Sequence, residues 1–405
     1  MKYIKRSAEK VIKRQEKMFK AILVTGSRQV GKTTMLKNVK SDINYITLDD
    51  MLLNQLAIED PNLFLKSNKP PIIIDEIQYA PDLLRYIKME IDNSEEKARF
   101  YLTGSQQFHL MRNVSESLAG RIGILNLLGL SLREIKEIDF NEPFVPTEEY
   151  FKKREKFDTQ ISYDEIWDII HKGTMPALYL EESNFEMFYS MYVSTYIERD
   201  VRSLTQVGDT LTFLKFMTAL ASRIGQLLNL NSVASEVGIT IPTAQRWLSI
   251  LVSSNIVYLL EPYYNNIMKR AVKTPKIYFL DTGLVSYLTK WKNKEVLEAG
   301  NMAGNFFENF VIVEIIKSYY NNGELRPPIY FYRDKEKREI DLIIEQNGEL
   351  HPIEIKKSAN PSKDMISNFQ ILEKVGKVGQ GGIICMYDKL IALDEKNKVI
   401  PYKYL

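Results

Sequence analysis

The sequence predicts an α/β protein: a phosphate-loop doubly wound parallel sheet, then a winged helix-turn-helix, then a second, smaller α/β unit. Three observations carry this. The first is Gly26-x-x-x-x-Gly31-Lys32-Thr33, set between the apolar run Ala21 to Val24 and residues of helical character. The second is Ile72-Ile-Ile-Asp75-Glu76, an apolar strand ending in two acids. The third is a pair of strand patterns, Arg338 to Glu345 and Leu350 to Lys357, joined at Asn347-Gly348.

The chain is 405 residues long, with a formal charge of +2 and one cysteine, Cys385. That length exceeds one ordinary core, so several domains are expected. We set them at 1–135, 136–205, 206–290 and 291–405. The near-neutral charge neither demands nor excludes nucleic acid. One cysteine allows no internal disulfide, which fits a reducing cytoplasm. The first residues lack the apolar segment of a signal peptide, and no apolar run is long enough to span a bilayer. A cytoplasmic protein without a membrane partner is the expectation.

Taken in order, residues 3–19 are charged, with Ile4, Val11, Ile12 and Phe19 at roughly helical spacing, and predict an amphipathic helix. The loop follows. Its glycines let backbone N–H groups approach phosphate oxygens, and the helix starting near Lys32 aims its positive end at the same anion. Residues Gly26, Ser27, Arg28, Gln29, Val30, Gly31, Lys32, Thr33 and Thr34 thus form a nucleotide cradle. Lys32 can reach the β- and γ-phosphates, and the Thr33 hydroxyl can hold Mg²⁺. Ile43 to Leu48 predicts a strand, and Met51 to Leu65 a helix. At the end of the next strand, Asp75 would hold Mg²⁺ through its water shell while Glu76 polarises the attacking water. Ala98 to Gln106 is a strand ending in Thr103-Gly-Ser105, where either hydroxyl suits a sensor of the γ-phosphate or the water. Arg121 precedes the last strand, Ile122 to Leu130. It is placed either to enter a neighbouring subunit's site as a finger or to form a surface ion pair.

The motifs Gly-Ser-Arg-Gln-Val-Gly-Lys-Thr-Thr, Ile-Ile-Ile-Asp-Glu-Ile-Gln, Leu-Thr-Gly-Ser and Ser-Leu-Ala-Gly-Arg resemble those of prokaryotic AAA-type ATPases with an uncharacterised carboxy-terminal module. The resemblance implies ATP and Mg²⁺ as cofactors and ATP hydrolysis as the activity. It also implies Arg121 acting in trans within a homo-oligomer.

Residues 141–158, charged and with two prolines, predict a linker or exposed helix. Tyr163 to His171 and Phe185 to Leu204 are helical. The latter holds Arg199-Asp-Val-Arg202, similar to a signature of that family, with Arg199 either near the nucleotide or paired with Asp200. Leu230 to Leu251 fits helix-turn-helix: Gly238 ends one helix, Thr240 caps the next, and Val233, Val237, Leu248 and Leu251 supply the shared core. Such a unit lays its second helix in the major groove of double-stranded DNA, with Thr243, Gln245, Arg246 and Ser249 as readers, or it binds protein. Lys269, Arg270, Lys273 and Lys276 form a basic stretch suited to phosphate or to solvent.

In the last part, Phe306 to Glu314 predicts an amphipathic helix bearing Glu308 and Glu314. Glu354 and Lys356, two apart on a strand, share a face, and Asp341 can join them across the hairpin. The arrangement resembles the PD-(D/E)xK nuclease fold. Asp341 and Glu354 would then hold a second Mg²⁺, with Lys356 and Glu308 beside them. The preferred expectation is an ATPase that handles DNA. The alternatives are a signalling NTPase with protein partners and an ATP-regulated, metal-dependent nuclease.

Overall fold

The computed structural model describes residues 3–105, 118–157, 159–180, 183–196, 210–264 and 274–405. Three expectations fall outside them: Ser115 to Ser117, the segment holding Arg199, Asp200 and Arg202, and the basic residues Lys269, Arg270 and Lys273.

The first sheet is five-stranded and wholly parallel, in the order β2-β3-β4-β1-β5. Its strands are β1 (Ala21–Thr25), β2 (Asn44–Thr47), β3 (Ile72–Asp75), β4 (Phe100–Gly104) and β5 (Ile122–Asn126). Every residue of β1, β3 and β4 is buried, as their unbroken apolar runs require of strands covered on both faces. Because β4 lies between β3 and β1, their three carboxyl ends are adjacent. The last strand is shorter than its sequence run: after Asn126 the chain leaves the sheet, and Leu127, Leu128 and Leu130 are buried beyond it.

The predicted helix over Met51 to Leu65 is two helices, Met51–Glu59 and Pro61–Ser67. Asp60 separates them, its carboxylate accepting from Leu63 N, and Pro61 opens the second. The amino-terminal helix is confined to Glu9–Gln15, with Val11 and Ile12 buried.

Residues 141–157 are not an exposed linker. They contain the helix Glu148–Arg154, with Tyr150, Phe151 and Arg154 buried, preceded by fully buried Phe144. The one buried charge, Arg154, is met internally, donating to Phe157 O, Thr159 Oγ1 and Lys403 O.

Helices Thr210–Ala221, Leu230–Val237 and Ile241–Ser253 lead into the antiparallel pair β6 (Val257–Leu260) and β7 (Lys276–Phe279). Gly238, at φ 79, closes one helix, and Thr240 Oγ1 accepts from Thr243 N to open the next. Val233, Leu248 and Leu251 are buried there, while Gln245, Arg246 and Ser249 are exposed.

The second sheet has seven strands, among them β8 (Ile329–Arg333), β9 (Glu339–Gln346) and β10 (Glu349–Lys356). Asn347 and Gly348, both at positive φ, turn β9 back onto β10. The helix Ala303–Tyr320 is not amphipathic but almost wholly buried. Its charges are satisfied inside. Lys317 Nζ donates to Glu314 Oε1 (2.8 Å), Leu130 O (2.8 Å) and Thr174 Oγ1 (3.1 Å), and Leu132 N donates to Glu314 Oε2 (2.7 Å). This helix therefore ties the last sheet to the chain leaving β5.

Candidate nucleotide site

The loop after β1 is held open by backbone geometry. Gly26 has φ +144, and a Cβ there would lie 2.1 Å from the Leu127 carbonyl oxygen. Gln29 (φ 61) and Gly31 (φ 90) also take left-handed conformations, so the chain curls before the helix Lys32–Val39 begins. Lys32, 7% exposed, donates to the Gly26 and Ser27 carbonyls at 3.1 and 2.8 Å. The buried Arg6 braces the loop from outside: Nη1 donates to Val30 O (2.7 Å), Nη2 to Leu128 O (2.7 Å) and Nε to Glu134 (3.1 Å).

The ends of β3 and β4 complete the constellation. Thr33 Oγ1 donates to Asp75 Oδ1 at 2.8 Å, Tyr45 OH to Asp75 Oδ2 at 2.9 Å, and Thr103 Oγ1 to Asp75 Oδ1. Burial first, then the bond to Asp75, hold the Tyr45 hydroxyl above the usual phenol range, so it remains a donor. Glu76 stands in a left-handed conformation (φ 57), and its N–H donates to Thr103 Oγ1 at 3.1 Å. Its carboxylate accepts from Gln78 Nε2 and from Ser105 Oγ (3.4 Å). Thr103 and Ser105 are thus both within the site, each against a different acid.

Beside this constellation is a cavity of about 680 Å³ lined by Arg28, Gln29, Gly31, Lys32, Thr33, Thr34 and Glu76. It is closed by residues that no motif announced: Tyr3, Ile4 and Arg6 before β1, Leu130 after β5, and Pro176, Ala177 and Leu180. The residues fit MgATP. Gly26 leaves no room for a side chain beside the Leu127 carbonyl, which keeps the loop backbone in its curl, and the Thr33–Asp75 oxygen pair suits a hard cation that keeps most of its waters and takes phosphate oxygens.

Arg121 is not part of this pocket. It precedes Ile122, which pairs with Ala21 at the opposite end of β1 from the loop, roughly 15 Å away at strand rise. There it is exposed, with Nε 2.6 Å from Asp92 Oδ1.

In the second sheet, Lys356 Nζ lies 2.9 Å from Asp341 Oδ2 and 2.6 Å from Glu354 Oε2. Glu308 meets a different cation, Lys276, at 3.2 Å and accepts from Tyr278 OH at 2.6 Å. Lys276 also pairs with Glu339 at 2.6 Å. Burial, reinforced by the Asp341 charge, pushes the Glu354 carboxyl up to about 8. Burial alone would raise Asp341 as well, but Lys356 and Lys276 outweigh it and hold Asp341 below the usual range. Asp341, Glu354 and Lys356 are brought together as expected. Glu314 is not with them, and among the described residues no group of three or more His, Cys, Asp or Glu is set to hold a metal.

The family model described as "AAA domain" matches residues 18–136, the first sheet with its loop. This part of the chain is an AAA-type, phosphate-loop ATPase domain. Models described as "Domain of unknown function", DUF8612 and DUF4143, match residues 163–295 and 303–405. The uncharacterized protein Rv2008c of Mycobacterium tuberculosis is 30% identical over 344 residues, 84% of this chain and 71% of that protein. Its counterpart Mb2031c of Mycobacterium bovis matches equally. The chain belongs to the family of these uncharacterized proteins. Among solved structures, the Walker-type ATPase PABY2304 of Pyrococcus abyssi is 14% identical with a TM-score of 0.44, covering 69% of this chain and 94% of that one. The RuvB Holliday junction branch migration motor of Thermotoga maritima is 16% identical with a TM-score of 0.32, covering 62% and 88%. No helix among the described residues is long and apolar enough to cross a membrane.

Proposed function

We propose that this protein binds ATP with Mg²⁺ and hydrolyses it, and that the cycle drives work on double-stranded DNA. The observation that carries the hydrolytic part is the Thr33–Asp75 hydrogen bond, which joins the two nucleotide motifs across 42 residues. In this reading Lys32 binds the β- and γ-phosphates and Thr33 and Asp75 hold the cation, which neutralises charge developing on the phosphates. Glu76 accepts the proton of the attacking water, and Ser105 steadies Glu76. Arg121 serves the neighbouring copy in a homo-oligomer, a role supported by its exposure at the far end of the sheet from its own loop. Exposed Gln245, Arg246 and Ser249 on the capped second helix support duplex contact.

For the last domain we favour a nucleic-acid clamp over a nuclease. Lys356 bridges the two carboxylates that a metal would need, and Lys276 takes Glu308. Phosphate release with and without duplex DNA tests the whole reading. We expect Glu76→Gln to lower kcat by about 10²–10⁴. DNA should raise turnover, and that stimulation should fade between about 50 and 200 mM salt. Unchanged turnover in Glu76→Gln refutes Glu76 as the base, no turnover in wild type refutes the hydrolase, salt-independent or absent DNA binding refutes the DNA partner, and Mg²⁺-dependent cutting lost in Asp341→Ala refutes the clamp.

A further inference from the structure

Gln78 is the last residue of the motif Ile72-Ile-Ile-Asp-Glu-Ile-Gln78, two beyond Glu76, in the short turn Ile77–Tyr79 that folds back under Glu76. Tyr79 N donates to Glu76 O at 3.1 Å, so the turn is closed on the glutamate itself. The Gln78 amide makes two bonds, both inside the site. Its Nε2 donates to Glu76 Oε2 and to Ser105 Oγ at 3.3 Å, while Ser105 Oγ reaches the same Glu76 oxygen at 3.4 Å. The orientation of the amide is fixed by its partner. An ionised carboxylate only accepts, so the group turned toward it must be the NH₂ and the other atom the carbonyl oxygen. That oxygen, Gln78 Oε1, is buried with no hydrogen-bond partner among the described residues. Burying an unmet acceptor costs about 1–3 kcal/mol, which an apolar side chain in the same space would avoid. What the glutamine provides in return is the donor pair to Glu76 and Ser105. The same segment carries a second cost, the left-handed backbone of Glu76 itself.

We propose that Gln78 is a positioning residue for ATP hydrolysis: it fixes Glu76 Oε2, together with Ser105, and so turns Glu76 Oε1 toward the attacking water. This rests on the reading of Glu76 as the base. Gln78 does not line the nucleotide cavity, whereas Glu76 does, so its effect falls on the chemical step and not on ATP binding. The isosteric variant Gln78→Glu replaces the donor by a second acceptor and repels Glu76. Gln78→Ala removes the contact.

The test uses the full chain and measures kcat by phosphate release, the ATP Kd by titration with a fluorescent ATP analogue, and the melting temperature. Both variants are expected to lose about 10- to 100-fold in kcat with the ATP Kd within about twofold of wild type. Adding Gln78→Ala to Glu76→Gln should lower kcat no further than Glu76→Gln alone, because the two act as a unit. A kcat within twofold of wild type, a raised kcat, an equal loss in ATP affinity, or a further full loss on the Glu76→Gln background each overturns the proposal. If Gln78→Ala melts early, the isosteric Gln78→Glu decides. No turnover in wild type overturns the hydrolase reading, and this one with it; turnover that survives both variants overturns this one alone.

Discussion

Lys317→Met is the most exposing perturbation of the junction between the ATPase sheet and the last domain. Lys317 and Glu314 are 1% and 2% exposed, and all three ammonium protons are used, on Glu314, Leu130 and Thr174. Methionine fills similar space but leaves the Glu314 carboxylate buried without its cation, which costs about 3–5 kcal/mol. For a chain of 405 residues unfolding as one unit, an unfolding entropy of about 2.1 cal/mol/K per residue converts that to a melting temperature lower by roughly 4–6 °C. Removing the stranded charge as well, in Glu314→Gln with Lys317→Met, should restore part of the loss, since the remaining defects are neutral. Leu130 lines the nucleotide cavity and Thr174 is two residues from Pro176, which also does, so ATP affinity should fall in parallel. Differential scanning calorimetry reads the first effect, and titration with an ATP analogue the second. A shift below about 1 °C for Lys317→Met, or a double variant less stable than the single one, would refute the reasoning.

Other perturbations bear on separate parts of the account. Gly26→Ala places a methyl against the Leu127 carbonyl at a φ of +144, so the loop must move. ATP affinity should drop by at least about 10²-fold, and unchanged affinity would contradict the cradle. Arg121→Ala should leave folding intact, its exposed pair with Asp92 being worth at most about 1 kcal/mol, yet lower kcat by about 10³. Mixing it with Lys32→Ala protein should restore turnover at sites that combine an intact loop with an intact finger; no restoration counts against the trans arrangement. Glu354 keeps its proton in the folded state up to about 8, whereas the unfolded chain releases it in the ordinary carboxylate range. The stability this gives is present at acid pH and is lost as pH rises through about 8. Glu354→Gln does not titrate, so its melting temperature relative to wild type should rise from about pH 5 to about pH 9. A constant difference would show that Glu354 is not buried as described.

The nucleotide loop was legible because its chemistry is local. Nine consecutive residues fix the cradle, and Asp75 and Glu76 close a recognisable apolar strand. What the sequence concealed were contacts across long separations. Arg6 looks like one more charge in a basic run, yet it bonds Val30 and Leu128, and Pro176 and Leu180 wall the same cavity from another part of the chain. Charge misled twice. Arg154 and the Glu314–Lys317 pair suggest solvent, but each finds carbonyl, hydroxyl or opposite-charge partners inside, so polarity in the sequence did not translate into exposure. The hairpin turn at Asn347-Gly348 and the capped turn from Gly238 to Thr240 were readable for the opposite reason, since each needs only its own few residues.

The central claim is that Gly26 to Thr33 binds ATP with the help of Asp75, and calorimetric titration of MgATP tests it most directly. Wild type should bind one ATP per chain, and Lys32→Ala should weaken binding by at least about 10²-fold, or about 2.7 kcal/mol. Equal affinity in the two proteins would contradict the account.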